Sequence, residues 1–120
     1  MGIPPTSLVV KQEKQESVLV FVVTGEIDVY SASDFRRIVD EGSWGRQKQV
    51  IIHLSDVNFI DSTGLGVLVS ILRRLSSQGG SLKLVITDKH LLHVFEVTAL
   101  NQLFDINPTV EKAKSGFVVC

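Results

Sequence analysis

One stretch of this 120-residue chain concentrates chemistry: Ile60-Asp61-Ser62-Thr63-Gly64-Leu65-Gly66. It sets a carboxylate, two hydroxyls and two glycines at the entry to the strongest helical pattern in the sequence. Two readings follow from the residues. In the first, Ser62 is an N-cap, Asp61 favours the positive end of the helix, and the glycines allow tight packing against the preceding strand. In the second, the segment is a functional surface. Glycines in a first helical turn cost up to ~1 kcal/mol each relative to alanine. A cap does not call for them, whereas the close approach of another backbone, internal or from a partner, does. Both readings stay open at this level.

Elsewhere the constellations that enzymes need are missing. Gly64-Leu65-Gly66 lacks the third glycine of a dinucleotide fingerprint, and no lysine follows at the P-loop position. His90 and His93 can share a helix face, but no cysteine or carboxylate stands at companion spacing, and structural zinc recruits four ligands. His53, in a strand next to a turn, is expected to be a hydrogen-bonded histidine at the core edge. The single cysteine, Cys120, is the last residue, where fixed activating geometry is rare. It excludes an internal disulfide framework and suits a reducing compartment. No catalytic residue, metal ligand or cofactor is expected, and the chain reads as a non-enzyme.

Composition narrows the partners. Twelve Lys+Arg against thirteen Asp+Glu give a net charge of -1, so there is no net basic surface for nucleic acid. The longest apolar run, residues 18–23, is far short of the ~20 residues of a membrane-spanning helix. Residues 1–5 carry neither the basic nor the apolar region of a signal peptide. A cytoplasmic binding or regulatory domain is the expectation. With 44% hydrophobic and 21% charged residues, one globular domain fits.

Several elements must position the Asp61–Gly66 segment. Residues 1–7, with two prolines, read as a disordered lead-in. Residues 8–10 open a short strand, the charged residues 11–16 form a connection, and the β-branched run 17–24 is a central strand paired as a hairpin. Gly25-Glu26-Ile27-Asp28 ends it. A helix starts near Ser31 or Ser33, with either serine as N-cap and Phe35, Ile38 and Val39 as its stripe. Gly42 and Gly45 break it, and Trp44 lies in the connection. Residues 50–54 form the next strand and 55–60 a descending connection. Leu65, Leu68, Leu72 and Leu75 then recur at helical spacing, with Arg73 and Arg74 facing away, and Gly79-Gly80 is the stop. A strand over 81–86 follows, then a helix capped by Thr87 or Asp88 with Leu91, Leu92, Phe95 and Val97. A short strand over 103–106 precedes a terminal helix after Pro108. This alternation predicts an α/β domain: a mixed, mostly parallel sheet with an N-terminal antiparallel hairpin and about four helices.

Asp61-Ser62-Thr63-Gly64-Leu65-Gly66 between an apolar strand and an apolar helix resembles the STAS domain, and more narrowly the bacterial anti-sigma factor antagonists. Gly25-Glu26-Ile27-Asp28, Leu100 and Phe104 also stand where that family has recurring residues. The resemblance covers residues 8–114, leaving 115–120 as a tail. It implies that Ser62 is phosphorylated by an anti-sigma factor serine/threonine kinase and that a PP2C-type phosphatase opposes this. It further implies that Asp61 helps present the serine, that Asp28 lies at the same end of the sheet, and that Thr63 is a neighbouring hydroxyl. Partner contact is expected at Asp28, Asp61, Ser62, Thr63, Gly64, Leu65 and Gly66. The function implied is partner switching, in which the unphosphorylated protein binds the kinase and frees a sigma factor. The alternative is a STAS scaffold or ligand-binding module of a larger signalling assembly. Such scaffolds carry an extra sensory domain and transporter STAS domains follow a membrane region, so partner switching is favoured.

Overall fold

The computed structural model describes residues 8–117. The expected lead-in over 1–7, and the tail residues 118–120 with Cys120, lie outside the described residues. Among these residues, five strands form one sheet in the order β1-β2-β3-β4-β5: Leu8–Gln15, Val18–Ile27, Gln49–Ile60, Ser81–Val85 and Asp105–Asn107. β1 runs antiparallel to β2, and the remaining pairs are parallel. The helices are α1 (Ala32–Ser43), α2 (Ser62–Ser77), α3 (Lys89–Val97) and α4 (Val110–Ser115), with one 3-10 turn at Leu100–Gln102. This is the α/β architecture expected.

The strand order never reverses, so right-handed crossovers place the three connecting helices on one face. There Phe35 and Val39 of α1, Leu68, Ile71 and Leu75 of α2, and Leu91 and Phe95 of α3 pack on Phe21, Val23, Ile52, Leu54 and Leu84. Phe104 joins this core edge-on to Phe95, with ring centroids 5.8 Å apart. No crossover constrains α4. It covers the opposite face, where Ala113 and Phe117 meet Val18, Val20, Ile51 and Val85.

Several elements differ from the sequence reading. Of the charged residues 11–16, expected as a connection, only Glu16 lies in one. β1 continues to Gln15, because an edge strand with solvent on one margin accommodates Lys11, Glu13 and Lys14. Residues 55–60 are not a descending connection, since β3 runs on to Ile60. Its register against β2 slips twice, between Val22 and Thr24 and between Gly25 and Glu26. Each slip inserts one extra β3 residue, and the bulges let Leu54, Val57 and Ile60 all reach the same core at odd spacing.

Gly42 does not end α1, which continues to Ser43. A Cβ at Gly42 would lie 2.9 Å from the Phe21 ring, so glycine there lets α1 lie close to the sheet. The last strand is 105–107 rather than 103–106. Arg74 does not face away from the core side: its side chain is 11% exposed and docks between α2 and α1.

Candidate functional site

The register partners Ile27 and Ile60 end two adjacent parallel strands. The next residues, Asp28 and Asp61, therefore emerge side by side at the carboxyl end of the sheet, where open α/β sheets collect functional groups. The Asp61 N–H donates to the Ile27 carbonyl at 3.2 Å. Its carboxylate then accepts from two directions. Oδ1 takes the Gly64 N–H at 2.9 Å, and Oδ2 takes the Val29 N–H at 3.0 Å. One side chain thus caps α2 and ties the β2–α1 loop to it.

The N-cap of α2 is Asp61, in extended backbone conformation, and not Ser62. Ser62 is the first helical residue. Its side chain is exposed, and its hydroxyl has no partner among the described residues. The N–H groups of Ser62 and Thr63 have no acceptor within the helix, as helix geometry requires of first-turn donors. Thr63 is exposed beside it, and Leu65 is half-buried against the core.

The two glycines separate. A Cβ on Gly64 would fall 2.6 Å from the Ile27 carbonyl oxygen and 2.8 Å from side-chain carbons of Ile27 and Ile60. Gly64 answers an internal backbone. Around Gly66 nothing lies within 4 Å of an added Cβ. At i, i+4 spacing it shares a helix face with Ser62, leaving that hydroxyl beside bare backbone.

Asp28 builds the adjoining loop. Its Oδ1 accepts the Tyr30 N–H at 2.9 Å and the Ser31 N–H at 3.0 Å, and its carbonyl accepts from Ala32 at 2.8 Å. Ser31 stands at the N-cap position of α1, but its hydroxyl makes no cap. It donates to the Glu26 carbonyl at 2.8 Å and accepts the Asp28 N–H at 3.0 Å. These bonds hold Val29 and Tyr30 outward, 60% and 89% exposed, at the margin of the Ser62 surface. Sequence reasoning missed this pair. The available signal was two apolar residues in a loop where neither helical nor strand periodicity absorbs them.

The remaining candidates stay apart from this site. His90 and His93 are exposed on α3, and among the described residues no three His, Cys, Asp or Glu side chains gather as metal ligands. His53 departs from expectation. Its buried Nδ1 has no hydrogen-bond partner, and neither has Ser55 Oγ. The reason lies in the register, which sets Val22 and Val85 on either side of His53 and brings no polar side chain alongside.

A hydroxyl at a helix entry, free of structural duty and flanked by open backbone and outward apolar residues, suits macromolecular contact. No helix among the described residues is long and apolar enough to cross a membrane. Comparison with known proteins agrees on the kind of domain. The STAS domain family matches residues 10–113. The anti-sigma-B factor antagonist of Bacillus subtilis (strain 168) is 40% identical over 90 residues, 74% of this chain and 81% of that protein. That of Staphylococcus aureus (strain NCTC 8325 / PS 47) is 28% identical over 89 residues, 74% and 82% of the two chains. The crystal structure of an anti-sigma factor antagonist from Mycobacterium paratuberculosis superposes with a TM-score of 0.83 at 26% identity, covering 92% of this chain and 94% of that one. By the family match over nearly its whole described length and by this kinship, the chain belongs to the STAS domain family.

Proposed function

We propose that this protein is an anti-sigma factor antagonist working by partner switching. In its unphosphorylated form it binds an anti-sigma factor serine kinase through the entry of α2 and the β2–α1 loop, so that a sigma factor is released. The kinase phosphorylates Ser62 and ends the interaction, and a PP2C-type phosphatase restores it. Kinship with named anti-sigma-B factor antagonists supports the class of partner.

The observation that carries the residue assignment is the division of labour at the α2 entry. Asp61 does the capping, which leaves the Ser62 hydroxyl exposed and unbonded. A phosphate there meets the free N–H groups and positive end of α2, so it is tolerated by the fold. It also adds ~1.5–2 negative charges to the contact surface. A misplaced charge at an interface can cost several kcal/mol, and ~1.4 kcal/mol is tenfold in affinity. Phosphorylation is then a switch on binding and not on folding.

The test uses the kinase captured by the tagged protein from cell lysate and identified by mass. Wild type incubated with that kinase and ATP should gain one phosphate, mapped to Ser62. Ser62→Ala should gain none and bind as tightly, whereas Ser62→Asp should bind about a hundredfold more weakly. Equal binding by Ser62→Asp, together with no phosphate at Ser62, would overturn the mechanism.

A further inference from the structure

β1 is the sheet's outer strand, paired only with β2, and its far margin carries no strand among the described residues. Its hydrogen-bonding phase follows from the turn. Gln15 and Val18 are register partners across the two-residue link Glu16-Ser17, and a two-residue hairpin closes on a hydrogen-bonded pair. Val9, Lys11, Glu13 and Gln15 therefore direct their backbone groups to β2. Leu8, Val10, Gln12 and Lys14 direct theirs outward.

The charges on this edge carry a pattern. Lys11 and Glu13 lie on one face of β1, both exposed, and neither has an ion-pair partner among the described residues. Lysine on an edge strand ordinarily opposes edge-to-edge pairing. Here the order of the charges discriminates between registers. In an antiparallel pairing of two β1 strands centred on Gln12, the outward groups match as Gln12 with Gln12 and Val10 with Lys14. Lys11 of each copy then stands opposite Glu13 of the other, at the closer, non-hydrogen-bonded positions. The nearest registers that still match hydrogen-bonding groups set Lys11 against Lys11 or Glu13 against Glu13.

We infer that the β1 edge is a self-association surface, and that its occupant is a second copy of this chain, paired antiparallel about Gln12 with reciprocal Lys11–Glu13 ion pairs. The product is a continuous ten-stranded sheet with two-fold symmetry. The antiparallel relation sends the two Ser62 surfaces to opposite ends of the sheet, so dimer formation and the proposed kinase contact do not compete.

Sedimentation velocity on the full chain into the millimolar range provides the test, with circular dichroism as the folding control. Wild type should dimerise reversibly. Lys11→Glu and Glu13→Lys should each weaken dimerisation about tenfold or more, because two opposite-charge pairs become two like-charge pairs. Mixing the two variants should restore dimers of near wild-type strength, since the mixture recreates both pairs. Independently, the amide protons of wild-type Val10, Gln12 and Lys14 should gain exchange protection as concentration rises, while those of Lys11 and Glu13 hold constant. A wild type that stays monomeric, single variants that associate as wild type does, or a mixture that fails to recover would each overturn the inference.

Discussion

Asp61 holds two amide groups that are far apart in sequence, and its two oxygens can be tested separately. Asn is as good an N-cap as Asp. Asp61→Asn therefore keeps the bond to the Gly64 N–H, but it turns an NH2 toward the Val29 N–H, where two donors meet. We expect a loss of about 1 kcal/mol and faster amide exchange at Val29–Ser31 with α2 unaffected. Asp61→Ala removes both bonds and should cost about 2 kcal/mol in denaturant unfolding. An Asp61→Asn variant as stable as wild type would show that the tie to Val29 contributes nothing, and equal stability of the two variants would show the same of the Gly64 cap. The glycines give an opposite-signed pair. Gly64→Ala drives a methyl group into the Ile27 carbonyl, which belongs to the sheet and cannot move aside. It should destabilise by about 2–3 kcal/mol. Gly66→Ala meets open space and should stabilise α2 by up to about 1 kcal/mol. Gly66→Arg should fold normally and lose the proposed kinase contact. Retained binding in a folded Gly66→Arg protein would move the interface elsewhere.

Between elements, the seam of α1 and α2 is closed by Arg74. Its Nε and Nη2 donate to Asp40 Oδ1 at 3.2 and 2.9 Å. Nη1 reaches the Ser43 carbonyl at 3.0 Å and Gln78 Oε1 at 3.1 Å, and Nη2 reaches Ser43 Oγ at 2.8 Å. The Trp44 ring lies over the guanidinium at 5.1 Å. This accounts for a tryptophan in the connection after α1, which otherwise stands largely exposed. The planar fork serves a carboxylate, the carbonyl end of α1 and a ring face together, and an ammonium group cannot. Arg74→Lys should cost about 1–2 kcal/mol and Arg74→Ala about 2–3 kcal/mol, since the latter strips Asp40 Oδ1 and the Ser43 carbonyl of their donor and leaves Asp40 only its 3.4 Å contact with Arg36. Thermal unfolding at matched salt measures both. A change within error for alanine would reduce the cluster to a surface ion pair.

Across the whole molecule, the cap that stabilises α2 and the hydroxyl proposed as the switch are different residues, Asp61 and Ser62. Because Ser62 caps nothing, Ser62→Ala and Ser62→Asp should both melt close to wild type. A drop of about 1 kcal/mol in the alanine variant alone would return the cap to Ser62. The sequence was sufficient for several features that depend on neighbours a few residues apart. The leucine spacing marked α2, the Gly79 stop with its φ of +76° held, Asp88 capped α3, and strand–helix alternation set the α/β class. It also singled out Asp61–Gly66, because residue types alone make that stretch costly for an ordinary helix start. What it left open were contacts set by pairing between distant strands. The Asp61–Val29 bond spans 32 positions and the Arg74–Asp40 bond 34. Whether Gly64 or Gly66 faces another backbone depends on how closely α2 descends on the ends of β2 and β3. The length of β3 and its two bulges depend on β2 as a template. Local periodicity carries no information about distances across a sheet, so the choice of Asp61 as cap, and with it the release of Ser62, was decided only when the two strands came together.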